Sequence, residues 1–394
     1  MAPTPFDWAD DALKKLAGQG LLRSRRTVVP LEGGRCLLMD SRNEPLAELW
    51  NFATNDYLGL AGHAAVQDAA IEAIRRCGTG ARASALVSGR TEDHALLERR
   101  LAELKKKEAA LLFPTGFAAN VGTIAALVGP DDVVLCDRLN HASLVDGCRM
   151  SRARLRVYPH CDVAVVEREL TRAGNDKRKL IVTDSLFSMD GDAAPLADLI
   201  FLAEQHNAML LVDEAHALGV FGLNGSGLLE DLPASPNVIV IGTLSKALGA
   251  QGGFAAGSRK IIDWIWNTAR TQLFSTALTP AACAAALSGL SLIRSNSTNR
   301  SELLQRSQEL ATSLRQMGWT VPDTVCGPII PVIIGESTKA VDLSQRLQQL
   351  GCLVPAIRPP TVPHGTSRLR ISLSVSHGAD GVAALLEAFR QLDR

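Results

Sequence analysis

A single lysine follows one of the apolar stretches of the chain. Residues 238–242 are apolar or glycine, as is typical of a strand buried on both faces of a sheet, and Thr243, Ser245 and Lys246 come after them. Ligands of open α/β sheets bind where the strands end, so this lysine would face a binding site. Desolvation lowers the pKa of an amine, and a neutral amine can form an imine with an aldehyde. A surface lysine at the start of a helix is the alternative for this stretch taken alone.

Two further groups could serve the same site. Asp213 follows the apolar residues 210–212. Gly116 and Phe117 lie between the strand-like residues 109–113 and an apolar helix, and the free amides at a helix start attract an anion. Pyridoxal phosphate needs an anion site for its phosphate, a carboxylate for its ring nitrogen and a lysine for its aldehyde. The three groups together therefore predict this cofactor, with a plain tight turn at Gly116 as the alternative.

The elements that carry these residues alternate between strands and helices. Strands are predicted at residues 109–113, 133–136, 155–158, 180–184, 209–213 and 238–242, with helices between several of them. Such alternation predicts an α/β fold with a mainly parallel sheet. Beyond residue 290 the pattern changes to helices and strands of antiparallel character. The predicted domains are an N-terminal helix and arm (1–48), a cofactor-binding large domain (49–290) and a C-terminal α+β domain (291–394).

Composition excludes several classes of function. The 394 residues contain 41 basic and 41 acidic side chains, a balance that gives no sign of a nucleic-acid partner. The eight cysteines are scattered singly without a C-x-x-C pair, so neither a metal site nor a disulfide framework is predicted. There is no signal peptide and no apolar run long enough for a membrane, so the cytoplasm is expected. A dinucleotide-dependent oxidoreductase would need a strand followed by G-x-G-x-x-G near the N-terminus, and a non-catalytic scaffold would not need Asp213 and Lys246.

Four sequence blocks resemble the signatures of the α-oxoamine synthases. These are fold-type I pyridoxal-phosphate enzymes that condense an amino acid with an acyl thioester. The blocks are Asn140-His141-Ala-Ser143, Phe187-Ser188-Met189-Asp190-Gly191-Asp192, Asp213-Glu-Ala-His216 and Gly242-Thr243-Leu-Ser-Lys246. Residues 356–371 are similar to the branch of the family that uses L-alanine and a pimeloyl thioester. The resemblance implies a large domain with a mainly parallel seven-stranded sheet and a smaller α+β C-terminal domain.

The same resemblance implies roles around the cofactor. Lys246 would form the imine and then act as the base on the substrate Cα, and Asp213 would pair with the ring nitrogen. His141 would stack on the ring, and His216 and Ser188 would lie near the ring hydroxyl. Thr243 and the amides of Gly116 and Phe117 would hold the phosphate. Thr276 would reach the phosphate of the neighbouring subunit, because the family is a homodimer with its sites at the interface.

The substrates are also implied by the resemblance. Arg370 would bind the amino-acid carboxylate, for which a bidentate guanidinium is well suited; an exposed edge-strand arginine is the alternative. Arg23, Asn55, His141 and Thr361 would complete the substrate site. The loop at residues 78–84 departs from the family's usual glycine-rich pattern, so the acyl chain length is left open, as is the carrier, coenzyme A or acyl carrier protein. A glycine-using synthase and a longer-chain synthase are the alternatives within the family.

Overall fold

The computed structural model describes residues 4–174 and 178–392. Its strands are β1 (Thr27–Pro30), β2 (Arg35–Met39), β3 (Pro45–Asn51), β4 (Ala109–Phe113), β5 (Val133–Asp137), β6 (Arg154–Tyr158), β7 (Lys179–Asp184), β8 (Met209–Asp213), β9 (Val238–Thr243), β10 (Gly253–Gly257), β11 (Ile329–Gly335), β12 (Cys352–Leu353), β13 (Ala356–Ile357) and β14 (Ser367–Ser372).

The α-helices are α1 (Trp8–Gly18), α2 (Ala64–Cys77), α3 (Glu92–Leu104), α4 (Gly116–Leu127), α5 (Ala142–Met150), α6 (Val163–Ala173), α7 (Leu196–Gln205), α8 (Arg259–Thr268), α9 (Arg270–Leu273), α10 (Pro280–Ser295), α11 (Ser297–Gln316), α12 (Ser337–Gln349) and α13 (Gly378–Arg390). The described residues form two compact units. One, here the large unit, contains residues 55–188 and 192–301; the other, the small unit, contains residues up to 54, residues 189–191 and residues from 302 onward.

The large unit is built on a seven-stranded sheet. Its strand order is β4-β10-β9-β8-β7-β5-β6. The pairs β9/β8, β8/β7, β7/β5 and β5/β6 are parallel, whereas β10 is antiparallel to both of its neighbours. This sheet confirms the predicted fold class and the six predicted strands. β10 was missed, because a five-residue segment with glycine at both ends does not read as a strand.

Most strands of this sheet are buried on both faces, which explains why they are mainly apolar, whereas the edge strand β6 contains Arg154 and Arg156 and is partly exposed. Alternate residues of one strand enter different cores: Val240 packs in the core that contains residues of α2, α3, α6, α7 and α10. Ile239 and Ile241 pack in the core on the other face, with residues of α4, α5 and α8. The strands are thereby fixed from both sides, and their carboxyl ends form a rigid edge.

The small unit contains two sheets. One has the order β1-β2-β3-β12 and is antiparallel except for β12, which is parallel to β3. The other is antiparallel with the order β11-β14-β13, so β14 is its middle strand. The predicted N-terminal helix is confirmed as α1. The strands β1 and β2 lie in the predicted N-terminal arm and were not predicted from the sequence.

The predicted domain boundaries after residues 48 and 290 stay a prediction. The two compact units described above are groups of residues in mutual contact, and each contains more than one stretch of the chain. None of the described helices is long and apolar enough to cross a membrane.

Candidate active site

Three strand ends bring acidic and hydroxyl groups to one edge of the large sheet. Asp184 ends β7, Asp213 ends β8 and Thr243 ends β9. In the parallel register Asp184 lies beside Asp213, and Asp213 lies beside Ile241, two residues before Thr243. Asp213 therefore lies next to the strand that precedes Lys246, as predicted, because β8 and β9 are neighbours in the sheet. All three side chains are buried.

Lys246 belongs to a hydrogen-bonded chain of side chains. Its Nζ lies 2.8 Å from Nε2 of His216, and Nδ1 of His216 lies 2.6 Å from the hydroxyl of Tyr57. The Tyr57 hydroxyl donates to Oδ1 of Asn55 (3.3 Å), so its oxygen can accept a hydrogen bond from Nδ1 of His216. A neutral imidazole has one donor and one acceptor nitrogen, so Nε2 then accepts from the lysine. The chain fixes both the tautomer of His216 and the direction of the lysine amine.

The Asp213 carboxylate is held by donors on both oxygens. Oδ1 accepts the backbone N–H of Ala215 at 2.9 Å, and Oδ2 accepts Nδ2 of Asn120 at 2.7 Å. Asn120 lies on α4 and also donates to Oγ of Ser143 at 2.9 Å. These hydrogen bonds fix the orientation of the Asp213 carboxylate. Asn120 and Ser143 were missed from the sequence, although Asn120 follows Gly116 by about one helical turn.

His141 caps α5 at the same edge. Its backbone N–H donates to Oδ2 of Asp184 at 2.7 Å, and its Nδ1 lies 2.7 Å from Oγ of Ser143. The protein around the imidazole disfavours its charged form and lowers the pKa of His141, although the charge of Asp213 opposes this. Burial, together with the charge of Asp213, raises the pKa of Asp184 well above its ordinary value. Both shifts favour the neutral form of the group concerned. Asp184 is a site residue that sequence reasoning missed despite its position at a strand end.

The Gly116 turn lies against Thr243. A Cβ added to Gly116 would be 3.3 Å from Cβ of Thr243, so glycine keeps the two segments in close approach. Thr115 caps α4 by accepting the N–H of Ala118 (3.0 Å). The hydroxyl of Thr243 lies 2.7 Å from that of Ser245 and donates to the carbonyl of Gly252 at 3.0 Å. The start of α4, whose first amides have no partner within the helix, therefore lies next to the Thr243 hydroxyl, and amides and hydroxyls of this kind can bind an anion.

Other predicted site residues of the large unit lie at its surface or in its loops. Ser188 and Asn55 are half-buried, and Thr276 and Phe117 are exposed. Thr276 is fixed by a backbone bridge to Ser84.

Three predicted residues belong to the small unit. Arg370 is buried in the middle strand β14, and its Nη1 donates to Oγ of Ser372 at 3.0 Å. The alternative of an exposed edge-strand arginine is therefore wrong. Arg23 is exposed and donates to the carbonyl of Pro359 at 3.3 Å, two residues before the exposed Thr361.

Comparison with known proteins identifies the family and the fold. The "Aminotransferase class I and II" family profile matches residues 47–389. A curated relative from Anaeromyxobacter sp. (strain K), named 8-amino-7-oxononanoate synthase, is 46% identical over 398 residues, covering 98% of this chain and 96% of the relative. The solved serine palmitoyltransferase of Sphingomonas wittichii has a TM-score of 0.90 at 30% identity, covering 99% of this chain and 97% of that one.

The 8-amino-7-oxononanoate synthase of Francisella tularensis has a TM-score of 0.75 at 26% identity, covering 86% of this chain and 96% of that one. The fold is thus shared by enzymes with different names, and the higher sequence identity is to a relative named 8-amino-7-oxononanoate synthase. These similarities confirm the resemblance found in the sequence blocks. The chain belongs to the class I and II aminotransferase family.

Proposed function

We propose that this protein is a pyridoxal-phosphate-dependent acyltransferase that condenses L-alanine with a pimeloyl thioester. The products would be 8-amino-7-oxononanoate, carbon dioxide and the free thiol, a step of biotin biosynthesis. The observation that carries the proposal is the arrangement of Lys246, Asp213 and the Gly116 turn at one sheet edge. The names of the relatives supply the choice of substrates.

The residues present fit pyridoxal phosphate. The phosphate would bind the amides of Gly116 and Phe117 and the hydroxyl of Thr243, where a Cβ on Gly116 would lie 3.3 Å from Thr243 Cβ. Asp213, already held as a hydrogen-bonded carboxylate, would keep the ring nitrogen protonated. Lys246 would carry the aldehyde. When bound, this cofactor draws negative charge from the Cα of the amino acid into its protonated ring.

The protein's own groups would do the remaining work. The amine of Lys246 would take the Cα proton of alanine, guided by its contact with Nε2 of His216. Neutral His141 would cover the ring face without adding a charge beside Asp213, and Ser188 would donate to the ring hydroxyl. Arg370 would bind the alanine carboxylate, since a guanidinium can form two parallel hydrogen bonds with it. Arg23, Asn55 and Thr361 remain candidates for contact with the acyl chain or its carboxyl end.

A second copy of the chain would complete the site. Large apolar side chains are exposed around the Gly116 turn and the Thr276 segment: Leu86 is 53% exposed, Val87 77%, Phe117 49% and Phe274 72%. Exposed apolar groups of this number in one region are typical of an interface between subunits. They support the proposed homodimer, in which Thr276 would bind the phosphate of the neighbouring subunit.

One labelling experiment tests the cofactor assignment. Purified protein should be yellow, and borohydride reduction followed by peptide mapping should find the pyridoxyl group on Lys246. Lys105, the buried lysine at the end of α3, is the internal control and should carry no label. A label on any other lysine would refute the site.

The substrates need a separate assay. Carbon-dioxide release should be measured with alanine, glycine and serine, each combined with acyl thioesters of several chain lengths on coenzyme A and on acyl carrier protein. The highest kcat/KM is expected with alanine and a pimeloyl thioester. Preference for glycine or for a long acyl chain would replace the proposed substrates with those of another synthase while leaving the cofactor chemistry unchanged.

A further inference from the structure

His160 lies between two carboxylates in the loop after β6. Its Nδ1 lies 3.0 Å from Oδ1 of Asp137, and its Nε2 lies 2.8 Å from Oδ2 of Asp192. Burial alone would disfavour a charged ring, but the hydrogen bonds to Asp137 and Asp192 outweigh it and raise the pKa of His160 to about 12. Each ring nitrogen faces a carboxylate oxygen, so the His160 ring links Asp137 to Asp192.

One side of the link fixes the segment that carries His141. Besides His160, Oδ1 of Asp137 accepts the backbone N–H of Leu139 at 2.8 Å, and Oδ2 accepts the N–H of Cys161 at 2.8 Å. Asp137 is buried at the end of β5, and Leu139 lies only two residues before His141. The position of His141 thus depends on a carboxylate whose charge His160 balances.

The other side fixes the turn that carries Ser188. The carbonyl of Asp192 accepts the backbone N–H of Phe187 at 2.9 Å, and this hydrogen bond closes the turn over residues 187–192 that contains Ser188. The His160 ring also packs edge-on against Phe187, with ring centroids 4.4 Å apart and an interplanar angle of 85°. The side chain and the backbone of Asp192 therefore connect His160 to the residue next to Ser188.

A metal ion is the competing interpretation of this cluster. Asp137, His160 and Cys161 each offer a ligand atom, and these atoms lie within 4.8 Å of one another. Cys161 Sγ, however, is almost equidistant from the two ring nitrogens of His160, at 3.7 Å from Nδ1 and 3.6 Å from Nε2. It therefore lies in line with the lone pair of neither nitrogen, where a metal ion would bind. Each nitrogen also has a carboxylate partner already. The geometry is that of an ion-paired imidazolium.

We propose that His160 is a positioning residue that ties the His141 segment to the Ser188 turn and so sets how both residues meet the cofactor. This inference rests on the proposed function, because it assigns His141 and Ser188 to the cofactor. His160 would act on both residues through Asp137 and Asp192.

The test compares His160→Gln and Asp192→Asn with Glu169→Gln. The control removes a carboxylate from another ion pair of the same region, that of Glu169 with Arg156 of β6, outside the His160 link. Two readouts do not require turnover: the affinity of the apoprotein for pyridoxal phosphate, and the visible circular dichroism of the bound cofactor, which reports the asymmetry of its surroundings.

We expect His160→Gln to weaken cofactor affinity about ten- to a hundredfold, the range for loss of a charge-assisted hydrogen bond, and to reduce the visible dichroism band. Asp192→Asn should also weaken cofactor affinity. The double variant should lose no more binding free energy than the two single variants added together, since both changes break the same link. Glu169→Gln should leave both readouts unchanged. If His160→Gln does not fold, Asp192→Asn decides.

Unchanged affinity and dichroism in both variants, with a lowered Tm, would reduce His160 to a purely structural role and overturn the inference. Loss of the dichroism band on treating wild-type protein with a chelator, and its return with Zn²⁺, would overturn it in favour of a metal. Wild-type protein that binds no pyridoxal phosphate would overturn the proposed function as well, whereas normal wild-type binding with silent variants would overturn this inference alone.

Discussion

A buried ion pair lies directly behind the strand end that carries Asp213. Nζ of Lys105, at the end of α3, lies 2.6 Å from Oε2 of Glu214, and their side chains are 2% and 0% exposed. Lys105 also donates to the carbonyl of Ser226, and Oε1 of Glu214 accepts the N–H of Leu229 at 3.0 Å. We predict that Lys105→Met destabilises the large unit far more than the removal of both charges does.

The magnitude follows from the burial of Glu214. A charge that loses its partner in the interior costs about 3–5 kcal/mol, whereas removal of both members of a pair is often nearly neutral. Glu214→Gln keeps an oxygen for the N–H of Leu229 and a similar volume. Space is tight there, since a Cβ on Gly227 would lie 2.4 Å from Oε1 of Glu214. We therefore expect Lys105→Met/Glu214→Gln to recover at least about 2 kcal/mol of the loss caused by Lys105→Met.

Hydrogen exchange is the suitable assay, because a chain of two compact units need not unfold in one step. Peptides that cover residues 209–214 should exchange much faster in Lys105→Met and return toward the wild-type rate in the double variant. The control is Arg100→Met, which removes an exposed ion pair with Glu103 on the same helix. It should lower the protection free energy of these peptides by no more than about 1 kcal/mol, the value of a surface ion pair. A double variant less protected than Lys105→Met would refute the reasoning.

Three further predictions concern the site and the small unit. Asp213→Ala should keep the cofactor on Lys246 but slow exchange of the alanine Cα proton into deuterated solvent, followed by NMR, by more than the roughly 10² to 10⁴ typical of an acid–base group; near wild-type exchange would contradict the role of Asp213. Arg370→Ala should keep its colour and weaken alanine binding about ten- to a hundredfold, with partial recovery in Arg370→Lys; an unchanged alanine Kd would remove Arg370 from the site. Burial lowers the pKa of His377 to about 4, and because its unfolded pKa is near 6.5 the unfolded chain binds more protons between these values. Stability should therefore fall as pH drops from 6.5 to 4, and a His377→Asn variant with the same pH slope would refute this.

The inner strands of the large sheet were predictable because burial on both faces favours continuous apolar residues. β10 was not, because its composition follows from a close approach and not from strand propensity. A Cβ on Gly253 would lie 2.6 Å from Cα of Gly116, so only glycine fits beside the turn that would bind the phosphate. The apolar pattern of a sequence predicts which strands are buried. A close approach of two backbone segments that are far apart in the sequence leaves only a glycine, such as Gly253, as its sign.

The site shows the same division. Asp213 and Lys246 could be predicted because each follows an apolar strand. Asn120 and Tyr57 could not, since they meet Asp213 and His216 across 93 and 159 residues of sequence. Their hydrogen bonds depend on strand order and helix placement, which a single sequence indicates only coarsely.

The two arginines of β14 show why burial must be read together with ion pairing. Alternation along residues 368–370 suggested an exposed edge strand, but β14 is the middle strand and both arginines are buried. Arg368 is committed to Asp190, with Nη1 2.6 Å from Oδ1, and it also donates to the carbonyl of Met189 at 2.9 Å. Binding a substrate carboxylate through Nη1 of Arg368 would first require its pair with Asp190, in which the arginine side chain is 5% exposed and the aspartate 25%, to break. If Arg370→Ala leaves alanine binding intact, Arg368 is therefore a poor substitute, and the carboxylate ligand should be sought outside β14.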